Sequence, residues 1–100
     1  MKITHIEEPI AFRKLLAGDG NVFVAIGKPA LFDDEQDYYC PYCIEYQETK
    51  KFSYAGGADS VQALQLAMKK IAVDLADLSK KRRVEISWFS DMPGETGFEP

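Results

Sequence analysis

A chain of 100 residues with 46% apolar side chains carries hydrophobic material for one core and too little for two domains, so residues 1–100 read as a single domain. Its net charge of −4 lacks the cationic excess that phosphate backbones call for, which argues against a nucleic-acid partner. No segment reaches the ~20 consecutive apolar residues of a membrane span, and Met1-Lys2-Ile3-Thr4-His5-Ile6-Glu7-Glu8 holds no apolar run of signal-peptide length; no membrane partner and a cytoplasmic location are the expectations.

The first elements are strands. Ile10 and Phe12 begin an alternating segment, Asn21-Val22-Phe23-Val24-Ala25-Ile26 is a second, and Gly18-Asp19-Gly20-Asn21 supplies the positive-φ positions of a hairpin between them. A polar connection follows that contains two apolar residues, Leu31 and Phe32, directly before the acidic run Asp33-Asp34-Glu35-Gln36-Asp37. The run lacks the spacing and central glycine of a calcium loop, so it reads as a solvated acidic loop and not as a metal site. Leu31 and Phe32 either anchor this loop on the core or offer a partner a hydrophobic contact.

Cys40-Pro41-Tyr42-Cys43 has the spacing of a redox dithiol. Such a pair works when the first cysteine caps a helix, whose unpaired N–H groups stabilise its thiolate. Ile44-Glu45-Tyr46-Gln47-Glu48 instead alternates at period two, and Tyr38, Tyr39 and Tyr42 also favour a strand over about residues 39–48. Along a strand, positions three apart face opposite sides and lie roughly 10 Å apart, whereas a disulfide needs Cα atoms within about 7 Å. Cys40 then shares a face with Tyr42, Ile44 and Tyr46, and Cys43 with Glu45 and Gln47. A bulge at Pro41 would change that geometry and bring the thiols together, which keeps a thiol redox protein as an alternative. A zinc site would need about four ligands, and His5, the only histidine, stands far from both cysteines.

Lys51-Phe52-Ser53-Tyr54 makes a short fourth strand, and Gly56-Gly57 breaks the chain. A long helix starts near Asp59-Ser60, where Asp59 and Gln62 resemble a capping box. Val61, Leu64, Met68, Ile71, Leu75 and Leu78 follow at spacings of three and four and form the stripe that packs on the sheet. Leu66 and Val73 project away from that stripe, two turns apart, where Gly97-Phe98, a second subunit or solvent meets them. Lys80-Lys81-Arg82-Arg83 ends the helix and complements its dipole. Val84-Glu85-Ile86-Ser87-Trp88-Phe89 alternates again as a last strand. The fold class is α+β: a single layer of mainly antiparallel sheet, in the order β-β-β-β-α-β, packed on one long amphipathic helix.

Catalytic patterns are thin. There is no G-x-S-x-G, no G-x-x-x-x-G-K and no G-x-G-x-x-G, and His5 precedes no recognisable nucleophile, so neither catalytic residues nor cofactors are assigned.

Cys40-Pro41-Tyr42, the helix start Asp59-Ser60-Val61-Gln62-Ala63-Leu64-Gln65-Leu66-Ala67, and Trp88 with Gly97-Phe98 together resemble a family of short bacterial proteins of unknown function, over about Ala11 to Phe98. The resemblance implies the fold and a bacterial origin and brings no activity. It also implies that the place of Cys43 is commonly held by another residue, such as arginine. The expected role is that of a non-catalytic protein-interaction or accessory module, with a protein partner or self-association through Leu31, Phe32, Asp33, Asp34, Leu66 and Val73. The alternatives are redox chemistry at Cys40 and Cys43, and a small-ligand pocket built from aromatic residues such as Tyr38, Tyr42 and Tyr54.

Overall fold

Two hairpins build the sheet. In the computed structural model, which describes residues 1–98, β1 (Pro9–Ala17) and β2 (Gly20–Gly27) pair antiparallel around Gly18-Asp19. Gly18 takes φ +59, the left-handed value that a tight hairpin asks of its first central residue. After β3 (Ala30–Leu31), β4 (Tyr38–Tyr46) and β5 (Thr49–Gly57) form the second hairpin. The third strand was expected to run to residue 48. It stops at Tyr46 because Gln47, at φ 56, starts the two-residue turn. The fourth is longer than Lys51–Tyr54 and runs through Gly56-Gly57, where it ends.

β4 pairs with three other strands. Along one edge it pairs with β5 over its full length; along the other it meets β3 at Tyr38 and Tyr39, and β2 from Tyr42 to Tyr46. Pro41 falls in the gap between those two ladders, a place where a residue without an N–H is tolerated. Its pairing with Tyr54 stays in register, so β4 carries no bulge there.

The helix α1 (Ser60–Arg82) crosses one face of the sheet, over β4 and β5. Its start is as expected: Gln62 N–H donates to Asp59 Oδ1, and the Gln62 amide oxygen accepts from the N–H of Ala58, each at 2.7 Å. The buried stripe is rotated from the expected one. Ala63, Ala67, Ile71 and Leu75 are buried, Leu64 and Leu78 are partly so, and Val61 and Met68 face solvent. Its first turn lies close to β5, since a Cβ at Gly57 would collide with the backbone of Ala63, and small alanines at 63 and 67 face the sheet there before Ile71 and Leu75.

Beyond α1 the chain forms β6 (Ile86–Ser87), shorter than the expected strand over 84–89, and pairs it with Leu16 and Ala17 of β1. Residues 88–98 then fold back beside the helix. The Arg13 guanidinium stacks 3.7 Å from the Trp88 ring and 4.8 Å from the Phe98 ring, and donates to the Thr96 carbonyl at 3.2 Å. Phe98 therefore packs against the core and leaves Leu66 and Val73 uncovered, in place of the terminal cover that was one expectation. The whole is an open antiparallel sheet of six strands with one helix, an α+β fold in the expected order except for the short β3. No helix among the described residues is long and apolar enough to cross a membrane.

Candidate functional site

Because α1 and residues 88–98 occupy the same face, the residues of opposite parity along each strand make a second face with little over it. Strand register sets them in rows. One row runs Phe12, Ala25, Cys43, Phe52 across β1, β2, β4 and β5; the next runs Lys14, Phe23, Glu45, Lys50. Phe12 is 77% exposed and Phe23 48%, although both lie within regular strands and carry large apolar rings. Between them is a groove of about 300 Å³, bordered by Phe12, Lys14, Phe23, Ala25, Cys43 and Glu45.

One end of this face is closed. Phe32 turns back against Tyr39 and Tyr54, with ring centroids 5.1 and 6.0 Å away, and Ile6 lies against Gly27 and Pro41. Phe32 thus anchors its loop, on the sheet face opposite the helix, while Leu31 stays exposed. Asp34 stabilises the loop from within: its Oδ1 accepts from the N–H groups of Gln36 and Asp37 at 2.9 and 3.3 Å. Asp33 is exposed beside it. Leu66 and Val73 are exposed on the far side of α1, so the acidic loop and the helix pair belong to different sides of the molecule. Among the described residues no group of three His, Cys, Asp or Glu side chains is placed to hold a metal ion.

The two cysteines are reduced and buried on opposite faces of β4. Cys40 lies among the core residues, its thiol 3.5 Å from the Gly27 carbonyl, and Cys43 lies in the floor of the groove. Burial pushes the Cys40 thiol up to about 11 and raises that of Cys43, the reverse of what a thiolate nucleophile needs. Tyr42 and Tyr54 also point to opposite faces, so Tyr38, Tyr42 and Tyr54 line no common pocket.

A polar network lies between helix and sheet. The fully buried Tyr42 donates its hydroxyl proton to Asp74, Lys51 approaches Asp74 Oδ1 at 3.7 Å, and Lys70 reaches Ser53 Oγ at 3.0 Å and the Tyr54 carbonyl at 2.8 Å. Desolvation, reinforced by the hydrogen bond and negative charge of Asp74, raises the Tyr42 phenol well above its ordinary range. A phenol so disfavoured as phenolate serves as a structural donor and not as a base. The nearby cleft is small, about 130 Å³.

Sequence reasoning passed over Phe12 and Phe23 as surface residues. β2 is apolar at both parities, so its pattern leaves open which side is covered. Asp74 was also missed, although its place three residues after Ile71 sets it at the border of the buried stripe.

Residues 11–100 match a family model described as a domain of unknown function, DUF6968. No curated protein and no solved structure matches.

Proposed function

Since the chain belongs to the DUF6968 family, a family of unknown function, we propose that it is a non-catalytic protein-interaction module whose contact surface is the helix-free face of the sheet. The observation that carries this reading is the exposure of Phe12 and Phe23 on neighbouring strands around one apolar groove. Scattered apolar residues are ordinary on a monomer, whereas rings held at diagonal positions of neighbouring strands around a groove form a patch of the kind that marks interaction sites. Leu31, Phe32, Asp33 and Asp34 extend the patch at its closed end with an acidic rim. Leu66 and Val73 are a smaller second patch on the helix.

Photo-crosslinking separates the two surfaces. A benzophenone amino acid placed singly at positions 12, 23, 66 and 73 of the full chain is irradiated in cells that express it. Adducts from positions 12 and 23 are expected. Adducts from 66 and 73 alone would move the contact surface to the helix, and no adduct from any position would reject an interaction module.

A further inference from the structure

The order of charges across the sheet face identifies the partner that fits it. Lys14, Phe23 and Glu45 stand side by side on β1, β2 and β4, giving the sequence positive, apolar, negative at one level of the sheet. Neighbouring strands lie about 4.8 Å apart, so the two charges flank Phe23 at nearly equal distances. A two-fold axis running along β2 through Phe23, in the plane of contact, turns such a row onto itself with its ends exchanged. Lys14 of one copy then lies against Glu45 of the other, and Phe23 meets its own counterpart.

The adjacent row fits the same operation. Phe12, Ala25 and Cys43 occupy β1, β2 and β4, so the axis sets Phe12 over Cys43 of the second copy and Ala25 over Ala25. A large exposed ring is thereby matched with a small residue in the floor of the groove, in both directions at once. Stacked sheets interdigitate in this way at a separation of about 10 Å. Lys50 and Phe52, one strand further out, fall at the rim of the overlap.

From this self-complementarity of charge and size we propose that the helix-free face binds a second copy of this chain, as an isologous face-to-face dimer about an axis along β2. The proposal rests on the reading of that face as a contact surface and names its occupant. A foreign surface of one charge sign would match only one of the two charges beside Phe23; a second copy matches both, and leaves Lys50 at the rim.

Sedimentation of the purified full chain tests it as a charge-exchange cycle. Lys14→Glu and Glu45→Lys each place like charges in apposition and should weaken self-association by about tenfold or more, while the double variant should return to within about threefold of the parent. A second measurement does not depend on the energetics: in Phe23→Cys combined with Cys43→Ala, a short bis-maleimide should link two copies through position 23 far faster than it links Val73→Cys combined with Cys43→Ala, because the axis sets position 23 against itself across the ~10 Å between the sheets, a gap too wide for a direct disulfide. A protein that stays monomeric to about 1 mM, where even a weak specific contact would register, overturns the dimer, as does self-association indifferent to the exchange. If the protein is monomeric while adducts from positions 12 and 23 contain a different protein, the face remains a contact surface and only its assignment to a second copy falls.

Discussion

The hydroxyl of Tyr42, at the middle of β4, is held by the carboxylate of Asp74 on the helix, and Lys51 of the edge strand approaches the same carboxylate at 3.7 Å. Three elements, β4, β5 and α1, meet at this carboxylate. Tyr42 is completely enclosed, so its O–H needs an internal acceptor, and the Asp74 carboxylate supplies a charged one.

Tyr42→Phe removes the donor and leaves Asp74, whose side chain is only 11% exposed, with Lys51 as its remaining polar neighbour in that network. Hydrogen bonds to charged groups contribute about 1.5–3 kcal/mol, and a loss of that size is expected in urea unfolding. Asp74→Asn keeps an acceptor and should cost less. Equal stability of Tyr42→Phe and the parent would show that the bond contributes nothing.

Alkaline pH should destabilise the fold for a definable reason. Burial pushes Cys40 from 9.0 to about 11 and also raises Tyr42 above its ordinary 10.0. The unfolded chain therefore loses these protons first, so the stabilisation is complete below pH 9 and falls as pH rises from 9 toward 11 for Cys40, and above pH 10 for Tyr42. Melting temperature measured from pH 8 to 11 should decline across this window, and Cys40→Ala should flatten the part between 9 and 11. An identical decline in that variant would remove Cys40 as a cause.

Alkylation with iodoacetamide at neutral pH should be slow at Cys40, slow but faster at Cys43, and fast at both in denaturant. Cys40 is fully enclosed and Cys43 only nearly so. An intramolecular disulfide after mild oxidation would contradict the unbroken strand that puts the two thiols on opposite faces.

Gly57→Ala should destabilise the fold by about 1–3 kcal/mol, the usual cost of forcing extra volume into a packed contact. Its new methyl would meet the Ala63 backbone, which cannot turn aside as a side chain can. Gly20→Ala, whose Cβ would find its nearest neighbour at an ordinary 3.8 Å, is the control and should change stability far less in the same melts.

Arg13→Lys keeps the charge and loses the flat stacking of the guanidinium between Trp88 and Phe98. A loss of about 0.5–2 kcal/mol and an altered near-ultraviolet signal from Trp88 are expected. An unchanged Trp88 environment would mean that the ammonium replaces the stack.

The strand and helix content was legible because period-two runs and one long stripe at helical spacing are local properties. The central stretch Ile71, Leu75 and Leu78 was placed correctly. Val61 and Met68 were not, since the side of α1 that meets the sheet is set by packing in three dimensions, where Gly57 closely approaches Ala63. The same limit applies to the contact face. Phe12 and Phe23 have the residue types of a core, and their exposure follows from α1 and residues 88–98 both covering the other side. Cys40 and Cys43 were legible as a divided pair because strand parity alone divides them, and the register at Pro41 leaves that parity intact.

The clasp on Arg13 bears on the order in which the molecule is completed. The β1–β2 and β4–β5 hairpins join residues close in sequence and can form as soon as they exist, whereas Arg13 waits for Trp88, Thr96 and Phe98, more than seventy positions later. On the ribosome the sheet can therefore assemble early, with its first strand flanked on one side only. The covering of β1 follows only when residues 88–98 have emerged, and until then the apolar edge of the core beneath Leu15 and Ala17 stands open to chaperones or to another nascent chain.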